Sequence, residues 1–221
     1  MGFLPDTYQV ISTWMEKWKK YSCDQTQLFL WYYFFFCFIE YKMNKELRIR
    51  YLQDKNENKY LPWQYYDLLK MVSIPVNGKR PFLLNWTKID ETVHPQYINQ
   101  NIGIICGRTS NITIVDIDIK DNGLAYWNKL IKDKIINTPI VKTPSGGLHY
   151  YFKYNDNLKT SIRLSIDDEK IGIDVKNDNS LVVAPPSNID GKYYKWVLSP
   201  NSTSIKKMPK WLEKFIIDNR R

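Results

Sequence analysis

The chain has 221 residues, of which 43% are apolar, 25% charged and 15% aromatic, and its formal net charge is +9. This composition excludes a disordered chain, a collagen-like repeat and a coiled coil, and the length allows one sizeable core. The basic surplus is compatible with a polyanionic partner. Cys23, Cys37 and Cys106 are far apart and form no CxxC pair, so we expect a reducing intracellular compartment, no disulfide framework and no zinc site.

Residues 1–58 are predicted to form a helical N-terminal extension. Its segment Leu28–Ile39, LFLWYYFFFCFI, is apolar throughout. As a helix it would be about 18 Å long, against a hydrocarbon core of roughly 30 Å. We therefore expect a buried helix and no membrane association, with an exposed docking surface and a membrane anchor as the alternatives. The polar run at 54–58 predicts a linker to a second domain at 59–221.

From residue 61 onward, segments with the apolar spacing of helices are interspersed with segments that have the pattern of strands, which predicts an α+β domain. Residues 61–221 also carry +7 of the net charge. Helices are expected at 62–70, 94–99, 122–136 and 210–218. Strands are expected at 72–76, 102–106, 112–119, 140–142, 148–154, 171–175, 181–183 and 193–197.

The predicted strand at 112–119 carries two aspartates with one residue between them. Side chains alternate along a strand, so Asp116 and Asp118 share one face, while Val115, Ile117 and Ile119 share the face that packs against a helix. Their Cα atoms would be about 7 Å apart, close enough for both carboxylates to ligate divalent ions. An isolated pair of this kind is more often two solvated aspartates at a strand end.

A glycine-rich turn is predicted between the strands at 140–142 and 148–154. Gly146 and Gly147 let backbone amides approach an anion closely, and Ser145 and His149 flank them. His149 can donate to a phosphate oxygen. A glycine hairpin with a hydrogen-bonded structural histidine explains the pattern equally well.

A third acidic strand position is Asp174, which shares its face with Lys176. A lone aspartate in a strand is more often hydrogen-bonded than catalytic. As a third carboxylate beside Asp116 and Asp118, however, it would complete a metal site. Lys176 could pair with a phosphate or neutralise the carboxylates.

The order of these motifs, DxD, Ser-Gly-Gly-x-His and hydrophobic-Asp, resembles the archaeo-eukaryotic primase superfamily. The likeness is closest to the bifunctional primase-polymerase (prim-pol) N-terminal domain found in replication proteins of plasmids, phages and large DNA viruses. It covers about residues 61–215. Further similar segments are 78–81 with Trp86, 101–104 with Gly107, and 182–187 with Gly191, Tyr194 and Trp196.

The resemblance implies an RRM-like catalytic core, in which a mixed or antiparallel sheet is flanked by helices, with the helical N-terminal segment added. The implied activity is template-directed nucleotidyl transfer by a DNA primase, a DNA polymerase or both, with a two-metal mechanism using Mg²⁺ or Mn²⁺. The implied metal ligands are Asp116, Asp118 and Asp174. The implied nucleotide-binding residues are Ser145, Gly146, Gly147, His149 and Lys176, with His149 also counted among the catalytic residues.

The implied partners are a single-stranded DNA template with its primer and NTP or dNTP substrates. We expect any replicative helicase to lie on another chain or outside this sequence, and a viral protein of this kind to act in the host cytoplasm or nucleus. Lys176-Asn177 departs from the family, which often has Arg and Gly there. Two other functions stay open: a non-catalytic nucleic-acid-binding scaffold of a replication protein, and a DxD metal-dependent glycosyltransferase, which would need neither the Ser-Gly-Gly-x-His turn nor Asp174. Aromatic side chains near the end of the domain could stack on bases, but we expect core and hairpin packing of Tyr193, Tyr194 and Trp196 instead.

Overall fold

A computed structural model of the chain describes residues 61–94 and 100–220. They belong to one compact unit, Asn58–Arg221. The predictions for residues 1–58, including the apolar segment Leu28–Ile39, and for a helix at 94–99 lie outside the described residues. Within these residues, no helix is long and apolar enough to cross a membrane.

The described residues form three α-helices and thirteen strands. The helices are α1 (Leu61–Leu68), α2 (Gly123–Leu130) and α3 (Lys210–Asn219), with 3-10 turns at Trp86–Lys88 and Lys120–Asn122. The strands are β1 (Ser73–Asn77), β2 (Arg80–Pro81), β3 (Asn101–Ile105), β4 (Ile112–Ile117), β5 (Ile140–Lys142), β6 (Leu148–Lys153), β7 (Leu164–Ile166), β8 (Glu169–Ile171), β9 (Ile173–Lys176), β10 (Leu181–Ala184), β11 (Asn188–Ile189), β12 (Lys192–Tyr193) and β13 (Lys195–Leu198).

The strands form two main sheets and two small hairpins. The first sheet has the order β10-β3-β1-β2 and the second has the order β13-β5-β6-β4-β9. Every ladder between named strands is antiparallel. The α+β prediction is confirmed, and of the two sheet types expected, the antiparallel one is observed.

One face of the second sheet carries a hydrophobic core. Val115 and Ile117 of β4 pack with Trp127 of α2 and with Leu212 and Ile216 of α3, and all five side chains are buried. Because side chains alternate along a strand, this packing turns the residues between them, including the one at position 116, to the opposite face. The helices therefore cover one face of the sheet, and the polar residues lie on the other face beside buried apolar residues such as Ile114 and Tyr151.

Strand β4 ends two residues earlier than predicted, and the expectation that Ile119 packs against a helix is wrong. The Asp118 N–H donates to the carbonyl of Gly172 at 2.8 Å, and the chain then enters the 3-10 turn at Lys120–Asn122. Asp121 adopts a left-handed conformation with φ 50°. Ile119 is consequently 51% exposed at the edge of the turn.

Several other elements also differ from the sequence prediction: the predicted strands 171–175 and 193–197 are each divided in two, and the short strands β2 and β11 are additional. Helix α2 ends at Leu130 rather than near residue 136. At this end of the helix, the Lys134 ammonium donates to the Leu130 carbonyl at 2.7 Å. Exposed charged residues after Leu130 cannot extend the buried stripe of the helix, so packing no longer favours it. The β7–β8 hairpin was not predicted. Its turn residues Asp167 and Asp168 both have positive φ, as a type I′ two-residue hairpin turn requires.

Candidate active site

Asp116 lies at the centre of a polar group on the helix-free face of the second sheet. It is the direct cross-strand partner of His149 on β6 and of Asp174 on β9. Directly opposed residues of antiparallel strands point to the same side, with Cβ atoms about 4.5–5.5 Å apart. The register therefore brings together three residues that come from three separate motifs of the sequence. Asp118 follows immediately after the end of β4.

His149 and Asp116 form a close contact at this centre. The His149 Nε2 atom lies 3.3 Å from Asp116 Oδ1, and both side chains are largely buried. Burial alone would raise the pKa of Asp116, but His149 and then Lys176 and Lys79 lower it below its ordinary value. Asp116 is therefore a carboxylate at neutral pH. The Nδ1 atom of His149 is buried with no hydrogen-bond partner among the described residues.

Two cations lie between the carboxylates of this group. The Lys176 ammonium is 2.7 Å from Asp174 Oδ2 and 3.9 Å from Asp116 Oδ2. The Arg163 Nη1 atom is 3.1 Å from Asp118 Oδ2 and 3.4 Å from Asp174 Oδ1. Lys176 thus contacts the acids, as one of its two predicted roles requires, and the arrangement offsets much of their mutual repulsion.

Arg163 is a member of this group that the sequence does not reveal. The chain before it pairs with the outer edge of β9 through Ser161 and Val175. Arg163 itself is left-handed, with φ 58°, and its backbone N–H donates to Asp174 Oδ1 at 2.8 Å. Nothing in the flanking residues marks it out, because its role comes from a contact between segments distant in sequence.

The predicted glycine turn is present and closes the hairpin between β5 and β6. Its hydrogen bonds run from Thr143 N–H to the Gly147 carbonyl and from Gly146 N–H to the Thr143 carbonyl, both at 2.9 Å. Gly146 has φ 95°, and a Cβ on Gly147 would lie 2.3 Å from the Ile117 carbonyl oxygen. The turn therefore packs against the end of β4, beside Asp118. Ser145 is exposed, with its Oγ 3.0 Å from Thr143 Oγ1.

The backbone that carries Asp118 is held against Gly172. Gly172 accepts from the Asp118 N–H and donates to the Asp121 carbonyl at 2.9 Å. A Cβ on Gly172 would lie 2.1 Å from the Lys120 carbonyl oxygen. This close approach needs a residue without a side chain, and it fixes where Asp118 stands relative to β9.

Tyr194 and Cys106 pack near the acidic residues and stay neutral. The ring of Tyr194 is buried 5.9 Å from that of His149, as its core prediction anticipated. Burial, followed by the charges of Asp116 and Asp118, raises the pKa of Tyr194 to about 12. Burial also raises the pKa of the Cys106 thiol to about 12. Neither group can act as a charged nucleophile or base at neutral pH.

The departure at position 177 has a structural explanation. Asn177 is buried, and its Nδ2 donates to the carbonyls of Asn155 and Leu158 at 2.9 and 2.7 Å. Its Oδ1 accepts from the Thr113 hydroxyl at 3.3 Å. Asn177 thereby ties the chain after β6 to the end of β9, and the preceding Lys176 is left facing the acids.

The donor set suits a hard divalent cation such as Mg²⁺ or Mn²⁺, because carboxylate oxygens are the ligands these ions prefer. The same oxygens already hold the guanidinium of Arg163 and the ammonium of Lys176, which act as stand-ins for a metal charge. Within residues 61–94 and 100–220, no three His, Cys, Asp or Glu side chains are grouped closely enough to form a metal site as they stand.

A search of curated proteins found no match to this chain. The sequence profile for the N-terminal domain of bifunctional DNA primase/polymerases (Prim-Pol) matches residues 63–211, about two thirds of the chain. The matched range contains the acidic strand β4, the glycine turn and Asp174. Because the match spans both main sheets and the whole polar group around Asp116, the chain belongs to the Prim-Pol family of bifunctional DNA primase/polymerase N-terminal domains.

Proposed function

We propose that this domain catalyses template-directed nucleotidyl transfer on single-stranded DNA, making primers, extending them or both. The substrates would be a DNA template with its primer and an NTP or dNTP. The observation that carries the proposal is the strand register, which places Asp116 directly opposite both His149 and Asp174. Membership of a primase/polymerase family supports the same chemistry.

In this proposal the carboxylates of Asp116, Asp118 and Asp174 hold Mg²⁺ or Mn²⁺. The ions would activate the 3′-hydroxyl and stabilise charge on the phosphate oxygens as pyrophosphate leaves. Asp116 keeps the charge needed for this role because its pKa is lowered. Its fixed contact with His149 orients that imidazole on the same face.

The glycine turn and Lys176 would bind the triphosphate. The backbone around Gly146 and Gly147 can approach an anion without side-chain obstruction, and Ser145 adds an exposed hydroxyl. Lys176 contributes a positive charge but lacks the planar fork of an arginine, so it would contact phosphate as a point charge. To donate a hydrogen bond to a phosphate oxygen, His149 would exchange the contact between its Nε2 atom and Asp116 Oδ1 for the phosphate.

A non-catalytic nucleic-acid-binding scaffold is the second candidate, and one observation favours it. Arg163 and Lys176 already neutralise the acids, so the group need not repel DNA phosphates in the absence of metal. The glycosyltransferase alternative is not favoured. The matched family is one of primase/polymerases, and a glycosyltransferase would not need Asp174 opposite Asp116.

Primer synthesis and extension on a single-stranded template, with Mg²⁺ or Mn²⁺ and either NTPs or dNTPs, test the proposal. Asp118→Asn keeps the side-chain size and removes one charge from the metal-binding set. Losing about 3–4 kcal/mol of transition-state stabilisation would slow incorporation by roughly a hundred- to a thousandfold. Binding of single-stranded DNA should change little, because backbone contacts from Lys and Arg supply that affinity.

Asp133→Asn, an identical change at an exposed position after α2, is the matched control and should incorporate nucleotides like the wild type. Equal incorporation by wild type and Asp118→Asn would contradict the assignment of Asp118 to the metal-binding set, whereas DNA binding without incorporation by the wild type would leave the scaffold function. NTP and dNTP reactions run side by side would also identify the preferred substrate.

A further inference from the structure

The Arg163 guanidinium lies among three carboxylates that come from two different segments. Its Nη1 atom contacts Asp118 Oδ2 at 3.1 Å and Asp174 Oδ1 at 3.4 Å, while its Nε atom contacts Asp121 Oδ2 at 2.6 Å. Two of these three acids belong to the proposed metal-binding set. The third, Asp121, does not.

The backbone of Arg163 is shaped to make these contacts. A left-handed φ of 58° is uncommon for a residue with a branched or long side chain and is retained where surrounding contacts determine it. Here the N–H donates to Asp174 Oδ1 while the side chain reaches Asp118. With 27% of its side chain exposed, Arg163 is neither a core residue nor a free surface arginine.

We propose that Arg163 is an internal counter-cation, which a divalent metal must displace from Asp118 and Asp174, and that it thereby sets the metal affinity of the site. The inference rests on the proposed function, since it concerns the same carboxylates. A metal ion held by Asp118 and Asp174 would lie beside the guanidinium that the same two carboxylates bind. The two positive charges would repel each other, so the cations compete for these carboxylates.

Asp121 can keep its ion pair with the Arg163 guanidinium after a metal has displaced that group from Asp118 and Asp174. Its contact with Arg163 Nε does not involve the proposed metal ligands, and its side chain is 47% exposed. The Nη1 end can therefore turn away from Asp118 and Asp174 while the Nε end stays paired. Retaining one ion pair lowers the cost of displacement, so metal can still bind in the presence of Arg163.

Arg163 is better suited to this exchange than Lys176. Lys176 lies within the β9 ladder, directly opposite Ile114, and its side chain is only 18% exposed. Arg163 lies in a loop joined to the edge of β9 by the pairing of Ser161 with Val175. The loop can adjust without breaking the central strands, whereas the backbone of Lys176 cannot move independently of them.

Mn²⁺ binding to the full-length chain tests the inference, measured by the electron paramagnetic resonance signal of free Mn²⁺ and by isothermal titration calorimetry. Arg163→Gln removes the competing charge and should bind Mn²⁺ about three- to tenfold more tightly than the wild type, given the strength of partly exposed ion pairs. Arg163→Lys keeps a charge without the fork and should give an intermediate affinity. Arg220→Gln, the same change at the end of α3, should match the wild type.

Thermal unfolding adds a second measurement, the increase in Tm that Mn²⁺ causes. Loss of an arginine with a purely structural role would not change this increase. Without metal, Arg163→Gln should melt at a lower temperature than the wild type, because its acids are less well neutralised. Saturating Mn²⁺ should then raise its Tm by more than it raises that of the wild type. A structural role alone would lower Tm and leave the Mn²⁺ increment unchanged, which would overturn the inference.

Equal or weaker Mn²⁺ binding by Arg163→Gln also overturns the inference, and the proposed function then still stands if the wild type extends primers. If neither the wild type nor any variant binds Mn²⁺, the inference and the metal chemistry of the proposed function are both wrong. If Arg163→Gln does not fold, Arg163→Lys decides the matter: tighter binding than the wild type supports competition, and equal binding refutes it.

Discussion

At the scale of single residues, Gly172 connects two parts of the site that are distant in sequence. It exchanges backbone hydrogen bonds with the loop that carries Asp118, and the Lys120 carbonyl approaches it to a distance that excludes a methyl group. The position of Asp118 therefore depends on a residue that has no reactive group.

We predict that Gly172→Ala displaces this loop. The added methyl would lie 2.1 Å from the Lys120 carbonyl oxygen and 3.3 Å from the Cβ of Asp118, so the backbone must shift. Overpacking of this kind costs about 1–3 kcal/mol of stability. Nucleotide incorporation should fall further than stability does, because a displacement of about 1 Å at a reacting group can cost a hundredfold. Denaturant unfolding and primer extension measure the two effects.

Gly191→Ala is the control for this variant. Gly191 lies in the turn between β11 and β12 with open space around it, and its φ of 77° makes an alanine strained without a steric clash. It should lose stability while incorporation per folded molecule is unchanged. Full activity of folded Gly172→Ala would show that Asp118 does not depend on this close approach.

At the scale of secondary-structure elements, strands β5 and β13 place two lysines directly opposite each other. Lys142 and Lys195 are register partners, and both are exposed. Like charges directly across an antiparallel pair are destabilising. Lys142 also leads into the glycine turn, so a polyanion bound near the turn would offset this repulsion.

Replacing Lys195 by Glu should separate stability from nucleic-acid binding. The variant forms an opposite-charge pair with Lys142, worth about 0.2–1 kcal/mol relative to a neutral pair, so its midpoint of unfolding should rise. If these lysines contact the DNA backbone, the affinity for single-stranded DNA should fall. The dependence of that affinity on salt concentration should also become shallower, by an amount that corresponds to about one phosphate contact. Fluorescence anisotropy across a salt series measures this.

Lys214→Glu is the control for net charge. It makes the same charge change on helix α3, outside the β5–β13 edge. An equal loss of DNA affinity in both variants would show that overall charge, not the β5–β13 edge, is responsible. Unchanged DNA binding by Lys195→Glu would exclude this edge from the DNA path.

At the scale of the whole molecule, Glu213 attaches the closing helix α3 to the chain that follows β6. Its carboxylate accepts from Asn157 Nδ2 at 2.8 Å and from the Lys210 ammonium at 3.0 Å, and its side chain is buried. The hydrogen bond from Lys210, then the one from Asn157, lower the pKa of Glu213 below its ordinary 4.5. Since α3 covers the core of the second sheet, this attachment affects global stability.

The sign of the pH dependence follows from that lowered pKa. The stabilisation from Glu213 is complete above pH 4.5 and is lost as the pH falls through the lower value that the folded protein has. Glu213→Gln removes the charge, so near neutral pH it should lose about 1 kcal/mol, roughly 2–4 °C in Tm. The gap between the variant and the wild type should narrow as the pH is lowered below 4.5, through the lowered pKa of Glu213.

Thermal melts of both proteins between about pH 3 and pH 7 measure this difference. Glu169→Gln, at an exposed position in β8, should follow the wild-type curve throughout. A gap that stays constant across the whole range would mean that the ionised form of Glu213 contributes nothing specific to stability.

Much of the site follows from local sequence. The alternation of side chains along 112–118 and 171–176 is enough to place Asp116 and Asp174 on the face opposite the one that carries Val115, Ile117 and Val175. Likewise, the Gly146-Gly147 pair marks a turn whatever surrounds it. The α+β class and most strands of the domain were predictable for the same reason.

Other features were decided only by tertiary structure. The exit of the chain from β4 after Ile117 depends on hydrogen bonds to Gly172, some fifty residues later in the chain, and no local preference signals it. Arg163 becomes part of the site through contacts with Asp118, Asp121 and Asp174, which lie in segments that only folding brings together. Local sequence thus determines which way each strand residue faces, whereas the neutralisation of the acids is determined by long-range packing.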